Sequence, residues 1–165
     1  MALYVADADF FIQAHRATYP LDVATSFWQK IQQFSEKGIL ISIDKVKDEI
    51  YRNNDTLKKW IDENLAVSFF DHTPLPNNYK RVIQWAVSKS NYYLKKAIDE
   101  FSDSGISDAF LVAFCLQNPS QHILVTQEVS QSNRISKIKI PDACLALNIS
   151  YKNTIEMFRD LGATF

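Results

Sequence analysis

The chain has 165 residues, 47% of them hydrophobic and 22% charged, and a formal net charge of −1. These values fit one globular domain over residues 1–165 with its own core, and they exclude a disordered or collagen-like chain. The near-neutral balance gives no global pull toward nucleic acid, which counts against a plain nucleic-acid-binding module.

No stretch of 18 apolar residues occurs, so no transmembrane helix and no membrane partner are expected. The first residues lack the basic region and cleavage site of a secretory signal, and Asp7 and Asp9 interrupt the only apolar run there. Cytoplasmic residence is the resulting expectation. Cys115 and Cys144 lie in apolar helical contexts without zinc-binding spacing, and both are expected to be buried thiols.

Residues 2–6 read as a buried strand that runs into Asp7. Asp22–Lys37 is a helix, with Val23, Ala24, Phe27, Trp28, Ile31 and Phe34 on one face and Gly38 as its stop. Ile39–Ile43 reads as a second strand. Asp44 is placed to cap a helix containing Glu49, and Asp55 to cap Thr56–Asn64. Ala66–Phe70 is a weaker strand candidate. Asn77–Ser102 is one long helix or a helical hairpin with its break near Ser88–Asn91. Ser107–Gln117 is apolar nearly all round and predicts a buried helix. His122–Thr126 is a further strand, Pro141 suits position N1 of a short helix to Leu147, and Asn153–Leu161 is a last helix ending at Gly162. Strands that are continuously apolar and alternate with helices imply an α/β fold with a mostly parallel sheet covered on both faces. Ligands in such folds bind beyond the carboxyl ends of the strands.

Carboxylates recur at those ends. Asp7 follows the first strand, Glu49 borders the Val46–Ile50 face of its helix, Asp108 opens the apolar helix, and Glu128 follows Thr126. Each has an ordinary reading: a turn residue for Asp7, a surface pair with Arg52 for Glu49, a helix-dipole acid for Asp108, an exposed loop acid for Glu128. Together they point elsewhere. Carboxylates brought to about 4 Å repel by roughly 4 kcal/mol per pair at an effective dielectric near 20. A hard divalent cation, Mg²⁺ or Mn²⁺, relieves that repulsion. The pattern therefore reads as a metal-dependent enzyme, with Asp7, Glu49, Asp108 and Glu128 as both metal ligands and catalytic residues. Asp9, Thr126 and Asp142 are candidates for the layer behind them, and Asp103 is an outside candidate. Lys137, Lys139 and Arg134 follow Glu128 and could hold phosphates; the alternative for each is a solvated loop.

Histidines at 15, 72 and 122 are dispersed, and the three glycines form no phosphate loop. Zinc proteases, serine hydrolases and nucleotide-cradling folds are disfavoured. The Asp7-x-Asp9 spacing also permits a phosphatase or flavodoxin-like reading, which leaves the other acids unexplained.

Four segments resemble the PIN domain family: Tyr4 to Ile12, Val46 to Ile50, Ser107 to Ala113, and Val125 to Glu128. Phe27-Trp28, Lys139 to Cys144 and Leu161-Gly162 are similar to a bacterial PIN-like group of unknown function. The resemblance covers almost the whole chain. It implies a three-layer α/β/α sandwich and a Mg²⁺- or Mn²⁺-dependent endoribonuclease, the toxin of a bacterial toxin–antitoxin pair. A cognate antitoxin protein and a homodimer are the partners it implies. Asp9 stands where that family usually has Asn, Ser or Thr, and Glu128 where Asp is common. The rival expectation is a catalytically inactive PIN-like protein-interaction module, for which Tyr92 and Tyr93 are surface candidates.

Overall fold

The computed structural model describes residues 1–165. Strand β1 (Leu3–Ala6) leads through α1 (Ala8–Gln13), a π-helical turn (Ala14–Thr18) and α2 (Thr25–Glu36) to β2 (Leu40–Ile41). Five helices follow: α3 (Asp44–Tyr51), α4 (Thr56–Asn64), α5 (Pro76–Ser88), α6 (Lys95–Phe101) and α7 (Asp108–Leu116). Strand β3 (His122–Val125), α8 (Ile140–Ala146), β4 (Ser150–Lys152) and α9 (Thr154–Asp160) complete the chain.

The sheet is parallel throughout, in the order β2-β1-β3-β4. Its central strands are buried on both faces: Val5, Ala6, Leu124 and Val125 are fully covered. The chain steps outward from β1 to β2, crosses back to β3, then steps outward again to β4. Helix α7 packs on α5, α8 and β3, the layer that right-handed crossovers set opposite α1 and α2, while α4 lies against α2 through Trp28 and Trp60, whose ring centroids are 4.8 Å apart. Helix α9 returns to the α2 side, where Phe158 stacks on Phe27 at 5.8 Å and Tyr4 donates to Asp160 at 3.1 Å. The result is a three-layer α/β/α sandwich. The strand order reverses between β1 and β3, so their carboxyl ends form the crevice where such sheets bind ligands.

Local chemistry explains most element ends. Asp55 accepts from the Lys58 amide at 3.2 Å and starts α4; Asn153 and Glu156 form a reciprocal capping box on α9. Gly38 and Gly162 take φ of 67° and 59° after α2 and α9, a conformation that needs no Cβ. Cys115 and Cys144 are buried free thiols, and α7 is buried almost all round.

Several expectations need correction. Ala66–Phe70 is a 3₁₀ turn (Val67–Phe70), not a strand. Its amides bond within the turn, Phe69 to Ala66 O at 3.0 Å and Asp71 to Ser68 O at 3.2 Å, the i→i+3 pattern of a 3₁₀ helix. Val23 is outside α2 and 77% exposed. The strand expected at Ile39–Ile43 pairs only over Leu40–Ile41, because Ser42 turns its amide to Phe69 O. Asp44 is the first residue of α3; Ile43 occupies the N-cap position without a side-chain bond. Helix α8 begins at Ile140, one residue before Pro141. Tyr93 is buried, unlike its neighbour Tyr92.

Candidate active site

The crevice between β1 and β3 opens into a cavity of about 160 Å³. Six carboxylates line it, from Asp7, Asp9, Glu49, Glu100, Asp108 and Glu128, and one cation, Lys137. The four acids expected as the principal site residues thus reach one cavity from four separate segments.

Asp7 is the deepest, at 2% exposure. Its position follows from the sheet: the Asp7 amide donates to Val125 O at 3.0 Å, continuing the β1–β3 ladder past Ala6. Its carboxylate caps α1 by accepting from the Phe10 amide at 2.6 Å. The Thr126 hydroxyl faces the same carboxylate, where it favours the charged form, and it accepts from the Glu128 amide at 3.0 Å. Thr126 therefore ties Asp7 to the loop that carries Glu128. Burial pushes the Asp7 carboxyl well above the usual range, Asp9 and Asp108 add to the shift, and the bonds from Thr126 and Phe10 oppose it.

Glu49 and Glu128 are each fixed by one oxygen. Glu49 Oε1 accepts from the Ser107 amide at 2.7 Å, and Glu128 Oε2 accepts from the Ile140 amide at 2.8 Å. Both donors lie at helix starts, where amides lack intrahelical partners. One oxygen of each acid is left over. Asp108, in the first turn of α7, has charges as its neighbours. Burial raises its carboxyl to about 8, with Glu128 and Glu49 adding to the shift and Lys137 opposing it. Lys137 Nζ in turn lies 3.6 Å from Glu100. The hydroxyl of Ser107, the residue before Asp108, is buried with no hydrogen-bond partner.

The donor set is all oxygen and heavily anionic, which fits a hard divalent cation and not zinc or copper. No three of these side chains converge as a ready ligand cage. An ion would have to draw them together, and neither the Asp9 and Asp108 carboxylates nor the second oxygens of Glu49 and Glu128 are held by a hydrogen bond.

The remaining candidates fall in different places. Asp9 is on the cavity wall itself, and Thr126 sits directly behind Asp7. Asp142, a candidate for the layer behind the ligands, does not line the cavity; it is buried under the loop after β3, where it accepts from Ser130 Oγ and from the Gln131 amide at 3.1 Å. In the first turn of α8 it is close enough to reach that loop and turned from the cavity. Asp103 accepts from the Gly105 amide at 2.7 Å and does not line the cavity. Glu49 does not pair with Arg52, whose guanidinium binds Gly105 O instead. Glu100 went unrecognised; at the end of α6, next to Asp99, it has the sequence signature of an ordinary exposed helix acid.

No curated protein matches this chain. The family model described as "Domain of unknown function (DUF4411)" matches residues 4–165. The acid cavity, Thr126 and all of the sheet but Leu3 lie inside that match, and the chain belongs to the DUF4411 family.

Proposed function

We propose that this chain is a PIN-like, metal-dependent endoribonuclease and that Asp7, Glu49, Asp108 and Glu128 hold Mg²⁺ or Mn²⁺. The observation that carries this reading is the gathering of six carboxylates around a single lysine at the switch point of a parallel sheet. Such a concentration of like charge is unfavourable without a counter-ion. When bound, the ion supplies Lewis-acid polarisation of the phosphodiester and of the attacking water.

The protein's own groups do the rest. Asp7 is immobilised by Phe10 and Thr126 and sets the floor of the site. Glu49 and Glu128 keep one oxygen on backbone amides and present the other. Burial and the neighbouring Glu128 and Glu49 favour the protonated form of Asp108, and a bound cation would favour its carboxylate instead. Lys137 offers the cavity's one positive charge to a substrate phosphate. We read the biological role as the toxin of a cytoplasmic toxin–antitoxin pair, with an antitoxin protein as partner and a homodimer as the assembly. No helix is long and apolar enough to cross a membrane.

A second reading, an inactive interaction module, draws on a different observation. Val87, Tyr92, Leu94, Ile135 and Leu145 are all exposed, and Tyr92 and Leu145 border a groove of about 390 Å³ beside Trp85. A groove bordered by exposed apolar side chains suits a protein partner.

RNA cleavage by the purified protein in Mg²⁺, Mn²⁺ or EDTA separates the two, with Asp7→Asn and Asp108→Asn alongside. Metal-dependent cleavage lost in both variants supports the nuclease and two of its ligands. Cleavage unchanged in Asp7→Asn removes the assignment, and absence of cleavage with any metal favours the module.

A further inference from the structure

A second groove, of about 400 Å³, adjoins the acid cavity, and the two share Asp9 and Glu128. Its wall differs in kind. Gln13 at the end of α1 and Gln127 and Gln131 from the loop after β3 place three neutral amides around it. Thr18 and Lys139 add a hydroxyl and a cation. Val129 is the one apolar side chain there, and it is 73% exposed.

Amides are the groups that read base edges. Each offers a donor and an acceptor in one plane, and Gln matches adenine N6 and N7 as a pair. The Gln131 oxygen accepts from Arg134 Nη1 at 3.1 Å, which leaves its NH₂ as the donor and brings a second cation to the rim. Lys139 can hold a phosphate as a point charge, and Val129 gives a base face an apolar contact that water does not. The volume lies within the range of small-ligand sites.

We propose that this groove is a nucleotide subsite. It takes one unpaired base of a single-stranded RNA, adenine before the others, beside the phosphate presented to the acid cavity. The inference rests on the nuclease reading for its substrate. The base has to be unpaired, because amides spread around the groove need the edges that a duplex keeps paired or hides in the narrow major groove of A-form RNA.

Fluorescence anisotropy tests it, using the full chain with end-labelled oligo(A), oligo(U), oligo(C) and an RNA duplex of equal length, in EDTA and again in Ca²⁺. Oligo(A) is expected to bind about tenfold more tightly than the other single strands, the discrimination of one good amide–base pair. The duplex binds most weakly. Gln13→Ala combined with Gln131→Ala removes the adenine preference, and Lys139→Ala weakens all strands alike. Thermal melts accompany each variant; should the double variant melt early, Gln13→Ala alone, on the exposed end of α1, carries the test. Equal affinity for the three homopolymers, an adenine preference that survives the Gln variants, or no binding in either condition overturns the subsite. Its failure is distinct from that of the nuclease reading. Mn²⁺-dependent cleavage without base preference removes only the subsite; adenine-selective binding without cleavage by any metal removes only the nuclease.

Discussion

The Glu49 carboxylate accepts from the Ser107 amide across 2.7 Å, joining α3 to the residue that precedes Asp108. The bond gives a partner to an amide in a residue only 1% exposed. Glu49→Ala leaves that amide unpaired and is expected to destabilise the protein by about 1–3 kcal/mol. Glu49→Gln keeps an oxygen acceptor and should melt close to the wild type, while removing the charge that the nuclease reading requires. Thermal melts of the two variants check this. Equal losses in both would mean that the oxygen is not what holds Ser107.

The metal-free protein should lose stability as pH rises. Asp108 has a folded pKa of about 8 against an ordinary 3.8, raised by burial first and then by Glu128 and Glu49. Between these values the folded state keeps a proton that the unfolded chain has released. Its contribution therefore disappears as pH climbs from about 4 to about 8, at most about 1.4 kcal/mol per pH unit for one proton. Asp7 is displaced in the same direction and steepens the slope. In EDTA, Asp108→Asn should match the wild type near pH 4.5 and melt several degrees higher at pH 8. A difference that stays constant across that range would contradict the assignment.

Mn²⁺ should act in the opposite sense. A cation that binds the folded state alone raises the melting temperature, and one that displaces a proton does so more strongly at higher pH. The shift is expected to be larger at pH 8 than at pH 6, to reverse with EDTA, and to fall sharply in Asp7→Asn and Asp108→Asn. Calorimetric titration in two buffers of different ionisation heat would count the released proton directly. A shift that is the same in wild type and both variants would place the ion elsewhere.

Asp142 is expected to matter for order in the loop, not for the ion. It is 8% exposed and holds Ser130 Oγ and the Gln131 amide. Asp142→Ala leaves two donors unpaired beneath the loop and should destabilise the protein by about 2 kcal/mol. Amide hydrogen exchange should quicken across residues 128–136 while the region around Asp7 stays protected. If the Mn²⁺-induced shift vanished and exchange in the loop did not change, Asp142 would belong with the ligands instead.

The sequence made some of this legible and left some hidden, for identifiable reasons. Helix α7 was visible because its residues are apolar all round, and the α4 start because Asp55 stands directly before it. The crevice acids were visible because each adjoins a run that must be buried, as with Asp7 after Leu3–Ala6. Strand β4 was not: Ser150, Tyr151 and Lys152 sit at an edge, exposed or half-buried, with no apolar signature. The Val67–Phe70 turn was misread because two adjacent phenylalanines satisfy strand propensity, while their common burial against Phe11 is a tertiary fact. Glu100 and Asp142 turn on which way one side chain faces after the chain has folded, and no local pattern encodes that.

The outer strands of the sheet have a consequence for assembly. Strand β2 is two residues long and β4 three, too short to template another strand along either margin. Margins this short disfavour edge-to-edge pairing, whether with copies of itself or with an extended peptide. Helices and loops make up the rest of the surface, where recognition is a matter of side-chain shape and charge and not of shared backbone ladders.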